Sequence, residues 1–142
     1  MRLPDVNVLV HAGNPRALQH GAARDWLVAA GQAPRGTLGL PWIVLLGFIR
    51  LSTRPGIYSK PLSVDAALAA VRQWLAAPAA VIVHAGDRHF QILSELLTQV
   101  GTAGNLTTDA HIAALAIENG AIVASFDRDF DRFAGVSFEL LT

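Results

Sequence analysis

The chain has 142 residues, of which 52% are hydrophobic and 15% are charged, and its 11 basic and 11 acidic side chains leave no net charge. This length and apolar content exclude a disordered chain and fit one domain, residues 1–142, with a sizeable core. The absence of cysteine excludes thiol catalysis, disulfides and cysteine-ligated zinc sites, and the neutral charge disfavours a protein that binds nucleic acid over its whole surface.

The chain opens without a basic-then-apolar signal segment. No uncharged run exceeds 14 residues, the length of Gly36–Ile49, which is too short to span a bilayer. We therefore expect a cytoplasmic protein without a membrane partner.

The first half of the chain alternates short apolar runs with helical patterns. Arg2–Asp5 predicts a strand that leads directly into Val6–His11, and Asn14-Pro15 predicts the start of a helix that ends at Gly31. A second strand is expected over Thr37–Leu40, ended by Pro41, and Trp42–Leu51 is apolar enough for a buried helix.

The second half repeats this alternation. We expect a helix over Val64–Ala77 capped by Ser63, a strand over Ala79–His84, a helix capped by Asp87 that runs to Val100, a helix over Asp109–Asn119 capped by Thr107 or Thr108, a strand over Ala121–Ser125 and an edge strand over Val136–Leu140. Such alternation is typical of an α/β domain, here with about five mainly parallel strands and helices between them.

Three acidic residues are expected to converge at one edge of this sheet. Asp5 and Asp127 each follow a predicted strand, and Asp109 opens the helix that precedes the fourth strand. In open α/β sheets, ligands bind beyond the carboxyl ends of the strands, where the strand order reverses. Crowded carboxylates repel one another unless a cation neutralises them, and oxygen ligands favour Mg²⁺ or Mn²⁺, which can activate water and clamp a phosphodiester oxygen.

Each carboxylate also has a purely structural interpretation. Asp5 can cap a helix, Asp109 can interact with a helix dipole, and Asp127-Arg128-Asp129 can be a solvated turn. The convergence of three segments on one edge is what favours a site.

Other chemistries lack their residues. No nucleophile elbow, phosphate-binding loop or dinucleotide-binding turn is present, and Asn7 stands where an Asp-x-Asp phosphatase needs its second acid. The histidines, His111 included, are interpreted as structural residues. The three tryptophans (Trp26, Trp42 and Trp74) fit helical apolar patterns and are assigned to the core.

Three motifs together resemble those of PIN-domain ribonucleases, in particular VapC toxins of the mycobacterial type. They are Asp5-Val-Asn-Val-Leu-Val10, Thr107-Thr-Asp-Ala-His111 with the helix that follows, and Ser125-Phe-Asp-Arg-Asp-Phe130. The stretch between them, Leu40–Arg50 with Ser52–Pro55, also resembles that branch, so the similarity spans essentially the whole chain.

This resemblance implies a PIN-like five-stranded parallel sheet flanked by helices on both faces. It implies that Asp5, Asp109 and Asp127 are catalytic carboxylates and metal ligands, with Asp129 as an additional ligand, in an endoribonuclease that uses Mg²⁺ or Mn²⁺. Many family members carry a glutamate where this chain has Gly47, so one carboxylate is missing. Asn7 and Thr108 are expected to orient Asp5 or bind metal waters.

The resemblance also implies a cognate VapB-type antitoxin, an RNA substrate and a homodimer. Part of Gly36–Ile49 is apolar enough to form a groove for a partner's helix, although ordinary core packing also explains it. Two alternatives stay open: a PIN module that binds RNA or protein without cleavage, favoured by the missing glutamate, and a metal-dependent phosphoesterase for small substrates.

Overall fold

The centre of the molecule, in a computed structural model that describes Met1–Thr142, is a five-stranded sheet. All neighbouring strands are parallel, and their order is β3-β2-β1-β4-β5. The strands are β1 (Arg2–Pro4), β2 (Leu38–Pro41), β3 (Ala80–Val83), β4 (Ile122–Ser125) and β5 (Ser137–Leu140). The predicted α/β class, strand number and outer position of the last strand are confirmed.

Six α-helices connect these strands. They are α1 (Val6–Ala12), α2 (His20–Gly31), α3 (Trp42–Thr53), α4 (Val64–Leu75), α5 (His89–Val100) and α6 (Thr107–Asn119), with short 3-10 helices at Gly104–Leu106 and Asp129–Arg132. The chain crosses the sheet in one direction from β1 to β3 and returns to β4, so right-handed connections place α1–α4 on one face and α5 and α6 on the other. The packing agrees, because α1 contacts α2 and α3, α3 contacts α4, and α5 contacts α6.

The strand order creates a crevice between β1 and β4. From β1 the chain continues to β2 on one side, and from β4 it continues to β5 on the other. Pro4 and Ala124 are in register, so the carboxyl ends of these two strands lie side by side. This is the position at which an open α/β sheet binds its ligand.

Three helix starts differ from the prediction. Helix α2 begins at His20, because residues 14–19 form turns in which the Asn14 side chain accepts the backbone N–H of Arg16. Helix α5 begins at His89 without a side-chain cap, so Asp87 is not its cap.

The third difference concerns α6. This helix begins at Thr107, and neither Thr107 nor Thr108 caps it. The preceding 3-10 helix ends at Leu106, whose backbone is already helical, so the turn runs directly into α6. Two other helix ends follow expectation: Ser63 Oγ accepts the Ala66 N–H at 3.1 Å, and Gly120 ends α6 in a left-handed conformation with φ of 60°. Helix α3 runs two residues beyond the expected Leu51, and α4 ends two residues before the expected Ala77.

The apolar composition of α3 predicts a buried helix, but only one side of it is buried. Phe48 and the residues on its side of the helix are fully buried, whereas Trp42 is 46% exposed and Leu46 is 55% exposed. The core assignment is therefore wrong for Trp42 but correct for Trp26, which is 6% exposed. No helix in the structure has the length and apolarity that crossing a membrane requires.

Candidate active site

The predicted carboxylates meet at the crevice between β1 and β4. Asp5 directly follows β1, Asp127 lies two residues after β4, and Asp109 lies in the first turn of α6. The charges of Asp5, Asp127 and Asp129 all act on the carboxyl group of Asp109. The structure therefore brings the four acids into one electrostatic unit, which we call the carboxylate edge.

Asp5 combines the two interpretations that its sequence position allowed. It caps α1, because its Oδ1 accepts the Val6 N–H at 2.7 Å, and its Oδ2 accepts a hydrogen bond from Ser125 Oγ, also at 2.7 Å. The side chain is buried, with no cation beside it. Burial raises the pKa of Asp5, the two hydrogen bonds oppose that rise, and the charges of Asp127 and Asp129 add to it.

Ser125 is the central hydrogen-bonding residue of the site. It is fully buried at the end of β4, and its Oγ donates to Asp5 while accepting from Asn7 Nδ2 at 2.9 Å and from the Asp127 N–H at 3.1 Å. Asn7 Oδ1 also accepts the Phe126 N–H at 3.2 Å, so Asn7 links Ser125 to the turn that follows β4. Ser125 was not among the predicted site residues: its position two residues before Asp127 signals a contact with that turn, whereas its bond to Asp5 has no signal in the sequence.

The remaining expected residues lie nearer the surface. Asp127 is exposed, and its Oδ1 accepts the Asp129 N–H at 3.3 Å, which shapes the turn. Thr108 is exposed beside Asp109 and makes no side-chain hydrogen bond. Arg128 projects from the same turn but pairs with Asp131 at 3.4 Å.

Repulsion among these acids is visible in Asp109. Burial raises its pKa to about 6, and the charges of Asp5, Asp129 and Asp127 contribute to that rise. A set of oxygen donors that is short of positive charge suits a hard divalent cation. No three side chains are close enough together to ligate one ion directly. Mg²⁺ does not require three protein ligands, because it usually keeps several of its waters and binds through one or two carboxylates.

Gly47 marks a close approach of α3 to α1. A Cβ atom on Gly47 would lie 2.7 Å from Val6 Cγ2, well inside van der Waals contact. A glutamate at this position would therefore require Val6, the neighbour of Asp5, to move. The close packing of α1 against α3 therefore leaves no room for a glutamate side chain at position 47.

A second polar cluster joins α5 to α6, on the face of the sheet opposite helices α1–α4. His89 Nδ1 lies 2.8 Å from Glu118 Oε1, and His89 Nε2 lies 2.8 Å from His111 Nδ1. Glu118 also accepts the Gly86 N–H at 3.1 Å. We call His89, His111 and Glu118 the histidine clasp. Burial, together with the charge of His89, lowers the pKa of His111, which agrees with the structural role expected for it.

An apolar groove of about 420 Å³ separates α2 from α4. Leu27, Val28 and Trp74 line it, and Arg24 and His20 lie among its polar residues. Of the segment 36–49, in which we expected a partner groove, only Leu38 lines it. The exposed apolar residues of that segment instead form a convex strip on α3.

Comparison with known proteins agrees with this architecture. The family model described as PIN domain matches residues 2–136. Ribonuclease VapC37 of Mycobacterium tuberculosis is 44% identical over 139 residues, which cover 98% of this chain and 96% of the relative. Ribonuclease VapC43 of the same species is 43% identical over 131 residues, 91% of this chain and 87% of the relative.

Solved structures share the fold at lower sequence identity. VapC20 of Mycobacterium tuberculosis, described as a sarcin–ricin loop cleaving toxin, superimposes with a TM-score of 0.73 at 20% identity, and all of both chains is covered. A chain of the DNA-bound VapBC2 complex of Rickettsia felis superimposes with a TM-score of 0.71 at 18% identity, covering 99% of this chain and 98% of that one.

Proposed function

Because the chain belongs to the PIN-domain family and, within it, to the VapC ribonucleases, we propose that its carboxylate edge hydrolyses RNA phosphodiester bonds with Mg²⁺ or Mn²⁺ as cofactor. The whole chain, residues 1–142, acts as one PIN domain in this proposal. The observation that carries it is the convergence of buried Asp5 and half-buried Asp109 with the acidic turn, in a crevice without a counter-cation.

In this proposal each residue of the site has a separate role. Asp5 and Asp109 would hold the cation, and Asp127, with Asp129 beside it, would complete the negative field that attracts it. When bound, a divalent cation stabilises charge on phosphoryl oxygens and activates water. Ser125 and Asn7 keep Asp5 and the turn at Asp127 in place, so that the carboxylates do not have to reorganise when the substrate arrives.

The test is RNA cleavage by the wild type and by Asp109→Asn, with Mg²⁺, with Mn²⁺ and with EDTA. We expect the wild type to cleave only with a metal and the variant to lose at least about 100-fold in rate, since a ligand matters more than the outer-shell groups whose loss costs about 10- to 100-fold. Asp65→Asn is the matched control, because Asp65 also lies in the first turn of a helix but does not act on the carboxylate edge.

The same experiment separates the alternatives. Tight RNA binding without cleavage by the wild type in any metal would favour the non-cleaving PIN module, which the closed position at Gly47 supports. Metal-dependent hydrolysis of a small phosphodiester, with RNA left intact, would favour the small-substrate phosphoesterase.

A VapB-type antitoxin is the proposed protein partner, supported by structural neighbours that come from VapBC complexes. The groove between α2 and α4 is the concave apolar surface that an antitoxin helix fits. The convex strip of Trp42, Ile43 and Leu46 on α3 is the surface we assign to a homodimer. A cytoplasmic location follows from the RNA substrate and the antitoxin.

A further inference from the structure

Positive charge is segregated along this neutral chain. Residues 26–64 contain four basic side chains and no acidic one. Three of the four follow the contact between α1 and α3: Arg50, Arg54 and Lys60, which we call the basic strip. The fourth, Arg35, precedes β2 and belongs neither to α3 nor to the loop that follows α3.

The basic strip runs beside α1, starting near the carboxylate edge. At one end, Gly47 packs against Val6, the residue that follows Asp5. At the other end, the Tyr58 hydroxyl donates to the carbonyl oxygen of Val10, and a Cβ atom on Gly13 would lie 2.8 Å from that hydroxyl. The segment 47–58 therefore follows α1 from its first residue to its C-terminal cap.

The three cations occupy successive positions along this segment. Arg50 lies about one helical turn after Gly47, Arg54 lies about 6 Å further at the end of α3, and Lys60 lies two residues beyond Tyr58. The loop that carries Lys60 is held in place, because Tyr58 is buried and the Leu62 N–H donates to the Ser52 carbonyl at 2.8 Å.

None of these cations is neutralised within the protein. All three are exposed, and none takes part in an ion pair or a side-chain hydrogen bond. Of the eleven basic side chains, only Arg2, Arg24 and Arg128 pair with a carboxylate, so what sets the basic strip apart is the absence of acidic residues from residues 26–64. Apart from the capping Asp5, neither α1 nor α3 contains an acidic residue, so the basic strip presents an uncompensated positive field next to a negative one.

We propose that the basic strip binds successive backbone phosphates of the RNA strand that enters the carboxylate edge. This inference rests on the proposed ribonuclease function and adds the path of the substrate. The carboxylate edge repels phosphate until a cation is bound, so cations placed outside it are needed to hold the strand. Arginine can contact a phosphate through two N–H groups, and such contacts position a strand without reading its sequence.

The test measures binding of fluorescein-labelled single-stranded RNA to Asp109→Asn protein, in which we expect cleavage to be too slow to interfere, across a salt series. Each phosphate neutralised on a single strand contributes a slope of about −0.7 to log K against log salt, so three cations predict a contribution of about −2. Arg50→Gln, Arg54→Gln and Lys60→Gln should each weaken binding and reduce the slope by about 0.7. Arg35→Gln should leave affinity and slope unchanged.

Cleavage kinetics provide the second measurement. In otherwise wild-type protein, the three substitutions should raise KM and leave kcat unchanged, because the strip does not touch the reacting phosphate. Salt slopes equal to that of Arg35→Gln, or a fall in kcat at constant KM, would overturn the proposal, as would variants that lose antitoxin binding but keep RNA binding. An inactive wild type that still shows the charge-dependent slopes would remove the proposed cleavage and leave the strip in place.

Discussion

Two clusters of ionisable side chains share helix α6, and they are built in opposite ways. Asp109, in its first turn, faces three other carboxylates and no cation. His111 and Glu118, further along, are both bonded to His89 of α5, and their polar atoms are satisfied within the protein. One helix thus carries a cluster of unbalanced charge and a cluster of paired groups, and only the unbalanced cluster has a use for a bound cation.

The histidine clasp explains how α6 tolerates the repulsion among the carboxylates at its first turn. The histidine clasp ties α6 to α5 at two points seven residues apart, so the first turn cannot easily swing away from Asp5. On the other side, Ser125 and Asn7 fix Asp5 and the turn after β4. The carboxylates are therefore held in an unfavourable arrangement, which the proposed cation would relieve.

The largest effect on this contrast is expected from Ser125→Ala. The change removes the donor to Asp5 and the acceptor for Asn7 and for the Asp127 N–H, so we expect a 10- to 100-fold loss of cleavage rate or metal affinity. Metal titration and RNA cleavage measure it. Ser94→Ala, which removes an exposed hydroxyl on α5, is the control and should have no effect. Full activity of Ser125→Ala would show that the carboxylate edge needs no organising residue.

A smaller effect, on stability alone, is expected from the histidine clasp. Glu118→Ala leaves the His89 Nδ1–H and the Gly86 N–H without an acceptor, which costs about 2 kcal/mol of unfolding free energy and lowers the thermal midpoint by about 4–8 °C. Glu118→Gln keeps one acceptor and should lose less. Glu95→Ala, whose carboxylate contacts only exposed Gln91, is the control.

The two clusters are separable if cleavage by folded Glu118→Ala, measured well below its midpoint, equals that of the wild type. A folded but inactive Glu118→Ala protein would contradict that separation and make the clasp part of the active site.

The same contrast explains what the sequence could predict. Asp5 and Asp127 were predictable because each follows a parallel strand, and parallel strands end at one edge of a sheet. The pairing of His89 with Glu118 was not, because the residues are 29 positions apart and meet only through the packing of α5 on α6. Ser125 was missed for the same reason: its bond to Asp5 spans 120 positions and depends on β1 lying next to β4.

Local rules also failed where tertiary structure replaced them. Asp87 and Thr107 have good capping side chains, yet the starts of α5 and α6 follow turns whose backbone is already helical. Trp42 fits an apolar helical pattern, but the composition of α3 could not show that this side of the helix lacks a covering element.

The smallest effect tests the burial of Asp109 and its repulsion from the other acids, through the pH dependence of stability. The pKa of Asp109 in the folded protein is about 6, above the ordinary value of 3.8, so the folded state binds more protons than the unfolded chain between these values. The resulting stability is fully present below about pH 4 and is lost as the pH rises through 6. Because Asp109 is only half-buried and solvent screens its charge, we expect a loss of about 1 kcal/mol, or about 2–4 °C in the thermal midpoint.

Asp109→Asn cannot ionise, so its thermal midpoint should exceed that of the wild type at pH 7.5 and approach it at pH 4.5. Addition of Mg²⁺ should narrow the difference at pH 7.5, because the ion binds and stabilises the wild type. If the thermal midpoints of the two proteins change in parallel from pH 4.5 to 7.5, ionised Asp109 does not destabilise the fold. The carboxylate edge would then differ from the histidine clasp in its chemical groups but not in its effect on stability.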